Sequence, residues 1–271
     1  MARWEETAVR SVQEFITYIQ CLPMNGRGWI FRGQADQSYR LVPKAGRAPF
    51  QGMNDLDLFD GWRRKAVAYL ASIPIDEWEA LAIAQHHGLA TRLLDWSFKY
   101  VVALYFAVKE NCGANGAVYC YYPRRFDENA RPRLSELSTV CVFAPSMTIP
   151  RIVAQQGVFT CHPKPDEPLE SSTEIDDAGT GVVVIPARAK PQFLLDLDAL
   201  GINEASMFPD LDGLSRHMNR RAELGRGIDR SVLAHEISRI FGTGIDSKTL
   251  DELLAKDAEE FLRRSVQAGG E

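Results

Sequence analysis

An arginine at the end of a short apolar run is the first residue of this sequence that could do chemistry. Arg32 follows the apolar residues 29–31 and precedes Gly33. Aromatic and β-branched residues favour strands, so the run predicts a buried strand with a guanidinium at its end. A guanidinium there matches a phosphate or carboxylate in a bidentate geometry, and the glycine would let a ligand approach the main chain. The alternative is a structural ion pair with Asp36 or Asp95.

Residues 86–96 form a second segment with side chains that could do chemistry, and it begins with two adjacent histidines. A histidine can bond a ribose hydroxyl or act as an acid or base near neutral pH. His86 and His87 are therefore candidates for a site, and a purely structural histidine is the alternative.

Thr91, Arg92 and Asp95 in the same region also have local explanations. Arg92 and Asp95 are three residues apart, a spacing at which two side chains can pair on a helix. Thr91 has the hydroxyl of a helix cap. We interpret the first two as an internal ion pair and Thr91 as a cap, with ligand contact as the alternative for all three.

The elements that must position these residues are helices and short strands. Apolar residues at helical spacing predict helices over 11–21, 55–70 and 78–87. Short strands are predicted at 28–31, 117–122, 140–143, 158–161, 182–186 and 192–197. Because the strands do not alternate regularly with helices, the pattern predicts an α+β fold with a mostly antiparallel sheet and an inserted helical region.

The last part of the chain is predicted to be separate. Apolar residues at helical spacing continue after residue 229 and are interrupted by Gly242 and Gly244. We therefore divide the chain into a domain over residues 1–225 and a C-terminal helical appendage over 226–271. The appendage either packs on the domain or presents a surface to a partner.

Charge and composition limit the classes of protein. The net charge of −5 over 271 residues argues against a whole-molecule field that attracts nucleic acid. Arginines nevertheless cluster between residues 216 and 230, which is typical of either a polyanion site or a solvated helix face. The clustered residues are Arg216, Arg220, Arg221, Arg226 and Arg230.

Targeting and metal signals are lacking in the sequence. No apolar run approaches the ~20 residues of a membrane span, and the N-terminus does not resemble a signal peptide, so we expect a cytoplasmic protein. The five cysteines are scattered, which indicates neither a disulfide framework nor a zinc site. Neither a Rossmann glycine motif nor a P-loop is present.

Several stretches together resemble the FRG domain family. These are the tripeptide Phe-Arg-Gly at 31–33 and His-x-Gly-x-x-Thr-Arg-Leu-Leu-Asp-Trp at 86–96, followed by an apolar helix over 100–108. Residues 151–159, 182–186 and 201–213 also fit. The resemblance extends over about residues 10 to 220.

The Phe-Arg-Gly element is also similar to the first core strand of ADP-ribosyltransferases. That resemblance implies NAD as substrate, with Arg32 on its pyrophosphate and Glu204 as the late acid that stabilises an oxocarbenium-like state. Glu204 as a helix N-terminal acid is the alternative. Gln155 and Gln156 offer amides that could recognise the nicotinamide carboxamide, although a turn with exposed glutamines would look the same.

The sequence thus predicts an ADP-ribosyltransferase that modifies a macromolecule, with nucleic acid such as RNA favoured over protein. A bacterial toxin or phage-defence effector with an antitoxin partner is the expected setting. A non-enzymatic nucleotide or nucleic-acid binding module and an NAD hydrolase are the alternatives. We assign Arg32, His87 and Glu204 to catalysis, and Arg32, Gly33, His86, Thr91, Gln155 and Gln156 to NAD binding.

Overall fold

A seven-stranded sheet is the central element of the fold. The computed structural model describes residues 4–70, 74–123, 131–146, 149–172 and 179–227. The strands are β1 (Glu6–Ala8), β2 (Ile30–Gln34), β3 (Leu93–Ser97), β4 (Gly116–Tyr121), β5 (Cys141–Phe143), β6 (Gly157–Cys161) and β7 (Thr180–Ile185). Their order is β1-β7-β4-β2-β3-β6-β5. Among the described strands only β1 and β7 pair in parallel, so the predicted α+β fold with a mostly antiparallel sheet is confirmed.

Most of the described helices begin at a polar cap or a proline. Ser11, Asn54, Asp76 and Asn203 each accept main-chain hydrogen bonds from the first turn of the helix that follows. The helices are α1 (Val12–Cys21), α2 (Asp55–Ala66), α3 (Glu77–His86), α4 (Tyr100–Val108), α5 (Pro150–Gln155), α6 (Lys190–Ala199), α7 (Glu204–Met207) and α8 (Leu211–Gly227). None of the described helices is long and apolar enough to cross a membrane.

Two predictions of secondary structure were wrong. The strand expected over 192–197 is helix α6, because Phe193, Leu194 and Leu197 are buried at helical spacing after a proline in the first turn. The helical conformation that we assumed for residues 92–95 is also wrong. Helix α3 ends at His86, Gly88 follows with a φ of 85°, and the chain then enters strand β3.

Helix α4 packs closely on strand β2, and Gly33 makes this possible. A Cβ at position 33 would lie 1.8 Å from the carbonyl oxygen of Ala103 in α4. Helix α4 is apolar on nearly all sides and buried, which is the pattern of a helix enclosed by the core. The glycine of the Phe-Arg-Gly tripeptide is therefore required by helix packing.

The sheet separates between β2 and β3. These strands share a single residue pair, Phe31 with Ser97, whereas the ladders on either side extend over five pairs. On one face, β2, β4 and β7 share a core with α1, α4 and α6, while β3, β5 and β6 share another with α2 and α3. A third group of buried residues joins both halves of the sheet. The sheet is thus continuous at one end and open at the other.

The chain divides into two compact units, Met1–Gly213 and Leu214–Glu271. The first contains the whole sheet. Of the second, the structure describes residues 214–227, which belong to α8. The predicted boundary after residue 225 stays a prediction, and most of the predicted appendage lies outside the described residues.

Candidate functional site

A cleft opens where β2 and β3 separate. Its main cavity has a volume of about 480 Å³, and a smaller cavity of about 250 Å³ adjoins it. The two share five lining residues: Arg32, Asp95, Trp96, Arg151 and Gln155. The gap in the β2–β3 ladder therefore creates the cleft, and residues of three strands and three helices line it.

Arg32 lies at the junction of the two cavities. Its Nη1 donates to the main-chain oxygen of Asp95 at 2.7 Å, while the Asp95 carboxylate is farther away, with Oδ2 at 3.9 Å. The Arg32 side chain is only 16% exposed, and its buried Nε has no hydrogen-bond partner among the described residues. Burial lowers the pKa of Arg32 to about 10, partly offset by the charge of Asp95. The guanidinium is therefore charged at neutral pH, desolvated and incompletely bonded.

Three further cations line the main cavity. Arg47 Nε donates to a main-chain carbonyl at 2.7 Å, and Lys44 Nζ donates to another at 2.8 Å. The Arg151 guanidinium lies over the Phe208 ring, 4.5 Å from its centroid. Asp95 is the one carboxylate among the described lining residues. With Arg32 there are four cations against one carboxylate, which makes the cleft strongly positive.

His86 lines the main cavity from the end of α3. Burial lowers its pKa, and the neighbouring His87 ring and Arg151 lower it further, so His86 is neutral near pH 7. The two imidazole rings are perpendicular with centroids 5.0 Å apart. His87 itself is exposed and is not among the described residues that line the cleft.

Asp95 points into the cleft from the middle of β3. Its side chain is 61% exposed, although the other four residues of the strand are buried. Gln85 Nε2 donates to Asp95 Oδ2 at 3.1 Å. The sequence analysis interpreted Asp95 as an ion-pair partner, with ligand contact as the alternative, and did not consider Gln85.

Thr91 lies behind these residues. It is 1% exposed, its hydroxyl donates to Gln85 Oε1, and its own Oγ1 accepts from the main-chain nitrogen of Leu93. The expected helix cap at Thr91 is therefore wrong, because a strand follows it. Its burial leaves no surface for a direct ligand contact.

The predicted Arg92–Asp95 ion pair was also wrong. Arg92 forms a buried bidentate pair with Asp55, with Nε–Oδ2 and Nη2–Oδ1 distances of 2.8 Å. Arg92 lies in a bend before β3, whereas Asp95 lies in the middle of that strand, and the two side chains have different partners. Arg92 is therefore a structural residue, and Asp95 faces the cleft.

Gln155 lines both cavities at the end of α5. Its side-chain nitrogen donates to the main-chain oxygen of Met207 at 2.9 Å, and its main-chain oxygen accepts from the Ser97 hydroxyl at 2.6 Å. Gln156 follows in the left-handed conformation, with a φ of 43°, and ends the helix. The structure brings Gln155 to the cleft but does not place Gln156 among its described lining residues.

Glu204 is the first residue of helix α7, where its charge favours the helix N-terminus. It is half-buried and is not among the described residues that line the cleft. Its catalytic role stays a prediction. Gly33 lines the smaller cavity, but the packing of α4 accounts for the glycine.

The C-terminal arginines are only partly described. Arg216, Arg220 and Arg221 lie on α8, where Arg216 and Arg221 are exposed. The side chain of Arg226 and all of Arg230 lie outside the described residues. Among the described residues, no group of three or more histidines, cysteines, aspartates or glutamates is placed to hold a metal ion.

Comparison with protein families supports part of the predicted resemblance. The FRG domain model matches residues 27–115, which contain β2, β3, α4 and both quoted motifs. The resemblance to the FRG domain family is confirmed for these residues. No curated protein and no solved structure matches the chain.

Proposed function

We propose that this chain, whose residues 27–115 carry the FRG domain match, binds NAD in the cleft between β2 and β3 and transfers ADP-ribose to a macromolecule. One observation carries the proposal. The Arg32 side chain, only 16% exposed, lines the cleft, and its buried Nε has no hydrogen-bond partner among the described residues. Three more cations line the same cavity.

A phosphate group is the ligand that this arrangement suits best. A buried donor without an acceptor costs about 1–3 kcal/mol, and more when it is charged. The nearest carboxylate, that of Asp95, is largely exposed and 3.9 Å away. A pyrophosphate would supply acceptors to Arg32 in the bidentate geometry that guanidinium groups favour. Its negative charge would also offset the positive charges of Lys44, Arg47 and Arg151.

Apolar side chains beside the cations suit a nucleotide better than a simple anion. Trp96 lines both cavities, and Phe31, Val102 and Phe106 line the smaller one. Aromatic and aliphatic walls accommodate a flat ring such as nicotinamide or adenine. The main cavity of about 480 Å³ is within the range of small-molecule sites.

Transfer of ADP-ribose requires cleavage of the bond between nicotinamide and ribose. The reacting sugar carbon becomes positively charged, as in glycoside cleavage, and a nearby carboxylate stabilises it. The chain would hold the pyrophosphate through Arg32 and exclude water with the apolar wall. His86, neutral near pH 7, would bond a ribose hydroxyl.

Nucleic acid is the proposed acceptor because of the arginines on α8. Transfer to an essential macromolecule would be toxic to a cell. A role as a toxin or phage-defence effector restrained by an antitoxin therefore follows from the proposed activity by analogy.

A nucleotide-binding module without catalysis is the second candidate. It is favoured by the position of Glu204, which is not among the described lining residues. In that case the cationic cleft would bind NAD or ADP without turning it over.

Incubation with NAD labelled in its adenylate phosphate tests the proposal. We expect label to transfer to a macromolecule in a cell lysate, and treatment with nuclease or protease identifies the acceptor. Arg32→Ala should abolish the transfer. Arg188→Ala, which removes an exposed arginine that is not among the described residues lining the cleft, should not. Free ADP-ribose without labelled macromolecules would support hydrolysis instead. Binding of NAD without any turnover would support the binding module.

A further inference from the structure

The carboxylate of Asp95 is unusual for its place in the fold. It lies at the centre of a strand near the middle of the sheet, where aspartate is disfavoured. The two residues on each side of it are buried, yet its own side chain is 61% exposed in the cleft. An apolar or β-branched residue would satisfy the strand better.

The fold makes little structural use of this carboxylate. The short bond of Arg32 is to the main-chain oxygen of Asp95, which any residue would provide. The two charged groups are 3.9 Å apart at their nearest atoms, and an ion pair at this distance with a carboxylate that is 61% exposed contributes little to stability. The side chain of Asp95 is therefore explained by something other than folding.

Two neighbouring residues nevertheless hold this carboxylate in position. Thr91 donates its hydroxyl hydrogen to Gln85 Oε1, which fixes the orientation of the amide. The Gln85 Nε2 then donates to Asp95 Oδ2 at 3.1 Å and also lies 3.4 Å from the main-chain oxygen of Leu93. Asp95 Oδ1 has no hydrogen bond to a described residue. One oxygen is thus anchored and the other is available to a ligand.

We propose that Asp95 is the catalytic carboxylate of this cleft, that Gln85 and Thr91 are its positioning residues, and that its substrate is the ribose attached to a bound pyrophosphate. This assignment rests on the proposed ADP-ribosyl transfer. It differs from the sequence prediction, which gave the role to Glu204.

The pyrophosphate and the ribose of the substrate would contact neighbouring residues, Arg32 and Asp95. A phosphate on Arg32 brings its attached ribose beside Asp95, because Arg32 Nη1 and Asp95 Oδ2 are 3.9 Å apart. A sugar is joined to its phosphate through one oxygen and one carbon, so neighbouring protein groups are needed to hold both. The cations hold the charge, and the carboxylate faces the sugar.

The transfer breaks one bond of NAD and forms one bond to the acceptor. The bond between ribose C1′ and the nicotinamide nitrogen breaks, and its electron pair leaves with neutral nicotinamide. Asp95 stabilises the positive charge that develops on the sugar. A lone pair of the acceptor then forms the new bond to C1′, and the acceptor loses its proton to Asp95 and from there to water.

The test compares Asp95→Asn with Glu204→Gln, using Asp57→Asn at an exposed position of α2 as the control. We measure nicotinamide release at saturating NAD and, separately, NAD affinity by calorimetry. Asp95→Asn should slow release by about 10²-fold or more and keep NAD affinity, because the lost interaction forms in the transition state. Glu204→Gln and Asp57→Asn should react at the wild-type rate.

A separate experiment tests the positioning role of Thr91. Thr91→Val should lower the rate of nicotinamide release without weakening NAD binding, and Thr91→Ser, which keeps the hydroxyl, should restore the rate. Loss of folding stability in Thr91→Val with an unchanged rate would show that Thr91 has only a structural role.

The outcomes separate this assignment from the proposed function. An unchanged rate in Asp95→Asn, or a loss confined to Glu204→Gln, would overturn the assignment of Asp95 while the transferase remains. A wild-type protein that binds NAD but releases no nicotinamide would overturn both the transfer and the assignment. A wild-type protein that binds no NAD would overturn the proposed function as well.

Discussion

Two arginines within residues 27–115, the buried Arg92 and the largely buried Arg32, differ in how completely the protein satisfies their charge and hydrogen bonds. Arg92 has a bidentate carboxylate partner, Asp55, and a main-chain oxygen at 3.2 Å. Burial alone would lower the pKa of Arg92, but the hydrogen bond and charge of Asp55 outweigh it and the pKa is raised. At Arg32 burial prevails, and the pKa falls to about 10.

The difference indicates which arginine is available to a ligand. A guanidinium with its own buried carboxylate has its charge and hydrogen bonds satisfied within the fold. Arg32 has one short bond, to a main-chain oxygen, and faces a cavity with other cations. Arg92 therefore holds the fold together, and Arg32 is left for an anionic partner.

Removing the partner of Arg92 should have the largest effect on stability. Asp55→Ala leaves a buried guanidinium without a countercharge, so we expect a loss of about 3–5 kcal/mol in the free energy of unfolding. Urea unfolding measures it. The control Asp57→Ala, at an exposed position of the same helix, should cost less than about 1 kcal/mol. Equal stability of the two variants would show that Arg92 does not depend on Asp55.

Gly33 follows Arg32 in strand β2, and the packing of α4 requires it to be a glycine. Gly33→Ala would place a Cβ 1.8 Å from the main-chain oxygen of Ala103, so α4 must shift. We expect a loss of about 1–3 kcal/mol in urea unfolding, as for other overpacked cores. Gly61→Ala is the matched control, because nothing lies within 4 Å of its added Cβ. A stable Gly33→Ala protein that no longer binds ligand would instead give Gly33 a role in the cleft.

His162 responds to the charges of both arginines, and its effect is a pH dependence of the folding stability. Burial, followed by the charges of Arg32 and Arg92, lowers its pKa from 6.5 to about 3. Between these values the unfolded chain binds a proton that the folded chain does not. Stability should therefore fall as the pH decreases from 6.5, by up to about 1.4 kcal/mol per pH unit.

Urea unfolding at several pH values checks this expectation. His162→Gln should reduce the slope without abolishing it, because the lowered pKa of His86 acts in the same direction. An identical slope in the variant and the wild type would mean that His162 is already protonated in the folded protein.

Much of the fold around Arg32 could be predicted from the sequence. The apolar run before Arg32 is in strand β2, and the helical spacing over 55–70 and 78–87 corresponds to α2 and α3. Strand β3 was missed because its apolar residues are adjacent, and a short run of this kind fits a buried helix or a buried strand equally well.

The composition of the cleft could not be predicted in the same way. Arg92 and Asp55 are 37 residues apart, and no local pattern connects them. Lys44, Arg47 and Arg151 come from separate segments that only the folded chain brings together. The aspartate in the middle of a buried strand was the one available signal for Asp95, and it required the strand to be recognised first.

Calorimetric titration of the wild type, Arg32→Ala and Arg188→Ala with NAD and with ADP tests the central claim most directly. We expect the wild type and Arg188→Ala to bind both nucleotides alike. Arg32→Ala should bind them about 10²-fold more weakly, the loss of one or two charge-assisted hydrogen bonds, with little change in melting temperature. Equal affinity in Arg32→Ala, or an unfolded Arg32→Ala protein with no nucleotide binding by the wild type, would contradict the account and make Arg32 a structural residue like Arg92.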